Sequence, residues 1–337
     1  MPLYLAGRAV ASRFDGRYGG FLTCAAATVL SALATAGTAT VLGLMTLEMG
    51  TPLAAAIGLA LLYGLATLAW PYSKYFWGEP VAGFFLALAA YLAMRAARRQ
   101  ELLTWGLAGT ALALAVSAKS AMLVTLAGFE LYVIVNRHRV RNHVMQWLPF
   151  AALVLILGHF GFVRVGSISF VSRIFAGEAA SPGQTVALQA TTQGDQGNIW
   201  VGLYGLLLSS GKGLVWYSAP VVAGVAATWS FGRRWPKEAL LTGAVSGSLV
   251  VAAALLPYWA GDSSWGPRYL LPAVPFLLLP LAAWLHGSAP WFARPLLAVT
   301  GVAGILVQRI GVSVNYDAYI LESGGPKGAG ATERYFT

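Results

Sequence analysis

Apolar stretches of roughly 18 residues or more recur along almost the whole of this chain, and they are apolar all the way round rather than along one stripe. A soluble core leaves its helices a polar face. Stretches of this kind belong in a bilayer, which only structures that satisfy their own backbone hydrogen bonds can cross. The expected spans are Gly20 to Leu47, Pro52 to Trp70, Pro80 to Met94, Leu102 to Ser117, Ser120 to Val135, Trp147 to Val163, Leu203 to Ser230, Ala239 to Pro257, Tyr269 to Leu285 and Leu296 to Val314. They make an all-α, polytopic transmembrane bundle of about ten helices, a single domain over residues 1–337. Composition agrees, with 58% hydrophobic residues, 10% charged residues and a mean hydropathy of +0.67.

The one cysteine, Cys24, lies inside the first span, which leaves neither a disulfide framework nor a thiolate metal site. No cofactor and no metal is expected. A formal charge of +10 would suit a nucleic-acid partner if it formed a basic face on a soluble domain. Here the basic residues crowd into short loops beside apolar spans, so the expected partner is the lipid bilayer and not nucleic acid. Arg95, Arg98 and Arg99 form one such cluster, Arg137, Arg139 and Arg141 a second, and Arg233, Arg234 and Lys237 a third. The positive-inside rule assigns these loops to the cytoplasm. Most acids, among them Glu79, Glu178, Asp195, Asp262, Asp317, Glu322 and Glu333, then fall outside.

Outer segments follow at 1–19, 164–202 and 315–337, and the Gly/Ser/Gln-rich second one suits a lid over a cavity that opens sideways to the outer leaflet. Counting helices back from Arg95 puts Met1 to Gly19 outside with no signal sequence to export it. The natural protein is therefore expected to begin upstream, with a further helix and an acidic outer loop.

Polar chemistry concentrates in outer segments. Pro71-Tyr72-Ser73-Lys74-Tyr75-Phe76-Trp77-Gly78-Glu79-Pro80 is a charged aromatic hinge between two apolar spans. Charges at a bilayer surface are costly unless something polar is handled there. In Ser209-Ser210-Gly211-Lys212-Gly213-Leu214-Val215-Trp216-Tyr217-Ser218-Ala219-Pro220, glycines flank a lysine where backbone amides could approach a phosphate, although the Walker spacing is absent. The run from Tyr258 to Tyr269 holds Asp262 and presents Arg268, whose planar fork pairs with phosphate, at the mouth of the next helix. Each feature has a plainer explanation. Trp70, Trp77, Trp259 and Trp265 would serve an interfacial belt, and Lys74, Lys119, Lys212 and Arg268 could snorkel to headgroups. Several cations in Gly/Pro-marked motifs on one membrane side favour a site. Glu130 and His159 lie deeper and are expected to pair with each other or with a neighbouring helix.

These segments resemble the bacterial polyprenyl-phosphate-dependent membrane glycosyltransferases of the C-type (GT-C) fold, relatives of protein O-mannosyltransferases and lipid A aminoarabinose transferases. The resemblance rests on Tyr72-Ser73-Lys74-Tyr75-Phe76-Trp77-Gly78-Glu79-Pro80, on Gly211-Lys212-Gly213-Leu214 with Tyr217-Ser218-Ala219-Pro220, and on Trp265-Gly266-Pro267-Arg268-Tyr269-Leu270-Leu271-Pro272, in order along nearly the whole chain. It implies a sugar donor on a polyprenyl phosphate and a glycan, lipid or protein acceptor. It also implies Glu79 as the catalytic acid position, with Tyr72, Lys74, Lys119, Lys212, Asp262, Arg268 and Tyr269 binding substrate. The family's first outer acidic loop would lie upstream of Met1. Two other classes remain open from sequence: a transporter or flippase of lipid-linked substrates, which should show paired internal repeats, and a non-catalytic membrane scaffold.

Overall fold

The computed structural model describes residues 9, 16–136, 140–165, 198–256, 259–261 and 264–314, and they contain helices and no strand. The expected outer segments 1–19, 164–202 and 315–337 lie largely outside the described residues, as do Arg137, Arg139, Asp262 and the side chain of His159. The helices are α1 (Gly16–Glu48), α2 (Leu53–Ala66), α3 (Gly78–Arg99), α4 (Leu102–Ala118), α5 (Leu126–Val135), α6 (Val140–Val165), α7 (Ile199–Leu207), α8 (Pro220–Arg234), α9 (Pro236–Ala254), α10 (Val274–Leu278) and α11 (Ala293–Ser313). Among the described residues, five segments are long and apolar enough to cross a bilayer: Thr28–Glu48, Gly78–Arg99, Pro236–Ala254, Arg268–Gly287 and Ala293–Ser313. Leu53–Ala66, Leu102–Ala118 and Ser120–Val135 are apolar but shorter.

Local chemistry sets the helix ends. Glu79 lies in the first turn of α3 and Arg98 and Arg99 in its last, the arrangement that complements the helix dipole, and Gln100 closes the helix in the left-handed conformation (φ 57°). Proline starts both α8 and α9 at the first helical position, where its missing N–H costs nothing. Alanines run down the buried face of α3, so α1 and α4 pack closely along it. At one glycine the approach is closer still. A Cβ on Gly109 of α4 would come within 1.8 Å of the Gln146 carbonyl oxygen of α6.

The structure corrects two expected spans. Leu203 to Ser230 is not one helix: α7 stops at Leu207, a turn at Ser209–Gly213 follows, and α8 starts at Pro220 after the single helical turn Leu214–Tyr217. Ser209 Oγ donates to the Gly205 carbonyl and accepts from the Lys212 amide at 3.2 Å, so a side chain competes for the ladder as glycine and proline disfavour its continuation. Pro52 to Trp70 likewise breaks at Thr67, which is extended. Thr67 Oγ1 donates to the Tyr63 carbonyl (2.6 Å), and the freed Leu68 amide donates to Ser218 Oγ at 3.1 Å. The break before Pro220 therefore helps satisfy the one at Thr67.

The helix ends sort into two poles. At one, Arg98 pairs with Glu238 (2.9 Å) and also donates to the Glu48 carbonyl, Arg99 pairs with Glu48 (3.3 Å), and Arg234 meets His286 (3.3 Å). The other pole gathers the polar hinge, the Ser209–Gly213 turn and the loop leading to Arg268. Glu130 pairs with a neighbouring helix, accepting from His143 Nδ1 (3.1 Å) and Trp147 Nε1 (2.5 Å) of α6.

Gly109→Ala is expected to lower the thermal midpoint of the detergent-solubilised protein, since overpacking of this kind costs about 1–3 kcal/mol. Gly58→Ala, in α2, where nothing lies within 4 Å of an added Cβ, should leave it unchanged.

Candidate active site

Three charged groups from distant parts of the chain meet at the second pole. Glu79 stands in the first turn of α3, Lys119 in the link between α4 and α5, and Arg268 at the head of the broken helix Arg268–Gly287. Lys119 Nζ donates to Glu79 Oε1, and Arg268 Nε lies 3.8 Å from the same oxygen. Aromatic faces frame the cations. The Arg268 guanidinium sits 4.2 Å from the centroid of the Trp77 ring and donates to Tyr269 Oη at 3.1 Å, while Lys119 Nζ lies 4.7 Å from the Tyr269 ring centroid. Such contacts strengthen as water is excluded.

The cluster lines a cavity of about 610 Å³, within the range of ligand sites. Its remaining wall is apolar, made of Met122 and Val124 beside α5 with Leu249, Ala252, Ala253 and Leu256 at the end of α9. The cavity thus has a charged corner and a greasy flank, which suits an amphipathic ligand with an anionic group.

The loop that delivers Arg268 is fastened from several sides. Lys212 is wholly buried; its ammonium donates to the Ser264 carbonyl and, at 3.2 Å, to Ser264 Oγ. Tyr72 Oη donates to the Trp265 carbonyl (3.1 Å), and Trp265 Nε1 to Gln308 Oε1 of α11 (3.2 Å). The Tyr217 ring packs edge-on against Trp265, with centroids 5.2 Å apart, where Gly266 at φ 66° leaves no room for a Cβ. Gly261, at φ 70°, turns the chain against the Arg268 side chain.

Of the residues singled out from sequence, Glu79, Lys119, Arg268 and Tyr269 line the cavity together. Lys212 and Tyr72 do not line it; they hold the loop beside it. Lys74 is exposed and turns away, donating to the Val312 carbonyl at the end of α11 (2.7 Å). Trp77, for which an interfacial belt was the plainer alternative, covers Arg268 with its ring; its place two residues before Glu79 in the hinge was the available signal. The α9 wall carries no signal of its own within an apolar span.

Burial lowers the Lys119 pKa below the ordinary lysine range; Glu79 opposes the shift, and Arg268 adds to it. Lys74, though exposed, is lowered by partial desolvation alone.

A family model described as dolichyl-phosphate-mannose-protein mannosyltransferase matches residues 3–168, just under half of the chain. The match takes in Glu79 and Lys119, while Arg268 lies beyond it. No curated protein and no solved structure matches the chain.

Because the Lys119 pKa is depressed, its ammonium is present at low pH and is lost as pH rises through a value below that of an ordinary lysine. Affinity for an anionic ligand, followed by calorimetry, should fall over that alkaline window, and Lys119→Arg should move the fall to higher pH. Lys212→Met should lower the thermal midpoint and ligand affinity together, because it frees the loop.

Proposed function

We propose that the chain is an integral membrane glycosyltransferase that moves a sugar from a polyprenyl-phosphate donor to an acceptor hydroxyl, with chemistry at the Glu79–Lys119–Arg268 corner. The observation that carries this reading is the joining of that corner to an apolar flank in one cavity. The likeness of residues 3–168 to the mannosyltransferase family supports the same reaction class.

Charge balance suits the donor. Two cations and one carboxylate leave the corner one positive charge in excess, which the single negative charge of a prenyl phosphodiester offsets. When the bond between the anomeric carbon and the phosphate oxygen breaks, its electron pair stays on the phosphate, which gains a second negative charge. Lys119 and Arg268 are placed to stabilise that gain in a site with little water, where fixed charges act most strongly. The acceptor oxygen forms the new bond to the anomeric carbon and gives up its proton; Glu79 is the carboxylate at hand to orient that hydroxyl and take the proton. The prenyl chain would leave along Val124 and Leu256 towards lipid.

The pole with the arginine clusters is assigned to the cytoplasm by the positive-inside rule, which puts the candidate site on the outer face. The acceptor class, whether glycan, lipid or protein, is left to assay.

Sugar transfer from radiolabelled polyprenyl-phosphate donors should be lost in Glu79→Gln with donor binding largely kept. Arg268→Lys should slow transfer about ten- to a hundredfold, since a charge-assisted hydrogen bond is worth about 1.5–3 kcal/mol and lysine lacks the planar fork. Undiminished transfer by both variants would overturn the assignment. Movement of the intact donor across liposomes without transfer would favour a flippase instead.

A further inference from the structure

A second cavity, of about 530 Å³, lies at the opposite pole, where the span Arg268–Gly287 turns into α11. The span ends in a widened helical turn over Trp284–Ser288, Gly287 adopts φ 112°, and Ala289 and Pro290 lead to the start of α11 at Ala293. The far end of α11 receives Lys74 at Val312, so this cavity and the Glu79 corner are separated by the length of that helix.

Its lining joins one charge to an apolar wall. Trp284, 6% exposed, forms part of that wall. Arg294, exposed in the first turn of α11, lines the same cavity and meets no carboxylate among the described residues. The other walls are apolar, with Leu285, Pro290, Ala293 and Leu297, and Trp291 stands 89% exposed beside them, its ring edge-on to Phe292. An exposed tryptophan next to an arginine is the pattern of a membrane–water interface. The surroundings are basic as well: Arg233 lies over Trp229 (5.1 Å), and Arg234 meets His286, two residues beyond Trp284.

We propose that this cavity binds the phosphate of an anionic phospholipid from the leaflet opposite the candidate active site, with the Arg294 fork as donor. Charge complementarity selects an anion, and the apolar walls at bilayer depth accommodate the first carbons of the acyl chains, which a free phosphate lacks. A lipid held there ties the end of the Arg268–Gly287 span to α11.

The test uses the full chain in detergent, with thermal unfolding followed during titration with dioleoylphosphatidylglycerol, dioleoylphosphatidylcholine or inorganic phosphate. Phosphatidylglycerol alone should raise the midpoint, and native mass spectrometry should retain it. Arg294→Gln should weaken its apparent affinity by at least about tenfold. Arg141→Gln, which removes an exposed cation on α6 outside this cavity, should leave it unchanged. The proposal is overturned if Arg294→Gln keeps wild-type affinity, if Arg141→Gln weakens it as much as Arg294→Gln, or if inorganic phosphate reproduces the shift.

Discussion

The pairing of Glu79 with Lys119 and Arg268 is the contact on which the site pole closes. Breaking a buried pair by removing one partner costs about 3–5 kcal/mol, because it strands the other charge in a medium that solvates it poorly. Glu79 gains further from its place at the start of α3, where amide dipoles favour an anion. Its carboxylate therefore draws together the head of α3, the link between α4 and α5, and the head of the Arg268–Gly287 span. Aromatic rings complete the enclosure, so the charges are fixed before any ligand arrives. Groups held this way need not reorganise when charge develops on a leaving group, which is the condition for electrostatic catalysis.

Around this contact the backbone is irregular, and in a bilayer irregular backbone persists only where protein or water satisfies it. The satisfaction is visible residue by residue. Ser218 caps the break after α2, Ser209 holds the turn after α7, and Gln308 reaches from α11 to the Tyr217 carbonyl while accepting from Trp265. Lys212 belongs to the same framework. A lysine ammonium buried against carbonyl and hydroxyl oxygens of Ser264 fixes the loop that presents Arg268, so a cation can serve the site without touching its ligand.

Much of this was legible in the sequence, for reasons that also mark where legibility stops. Apolar runs reveal helices because burial in lipid is a property of each segment, and Arg98, Arg99, Arg233 and Arg234 do mark one pole. Glu79 and Arg268 stood out because charge is rare in such a chain and each sits beside a proline or glycine that interrupts a span. Lys212 looked like a ligand-binding lysine on the same grounds, yet its destination depends on Ser264, 52 residues away, which no local pattern encodes. The broken span Leu203 to Ser230 misled because its hydropathy is continuous while its hydrogen bonding is not. The four-cation expectation thus resolved into two that face the cavity and two that brace the structure around it.

The two poles differ in how they settle their charges. At the arginine pole, Glu238 and Glu48 each take one arginine, so those pairs join α3 to α9 and to α1. At the site pole, Glu79 is the one carboxylate among the described residues lining the cavity, and it answers two cations there. An uneven ratio leaves a standing positive potential against an apolar wall, and in a low-dielectric setting such an excess is costly unless an anion occupies it. The imbalance at Glu79 is thus itself an argument for a ligand that brings negative charge on an apolar tail.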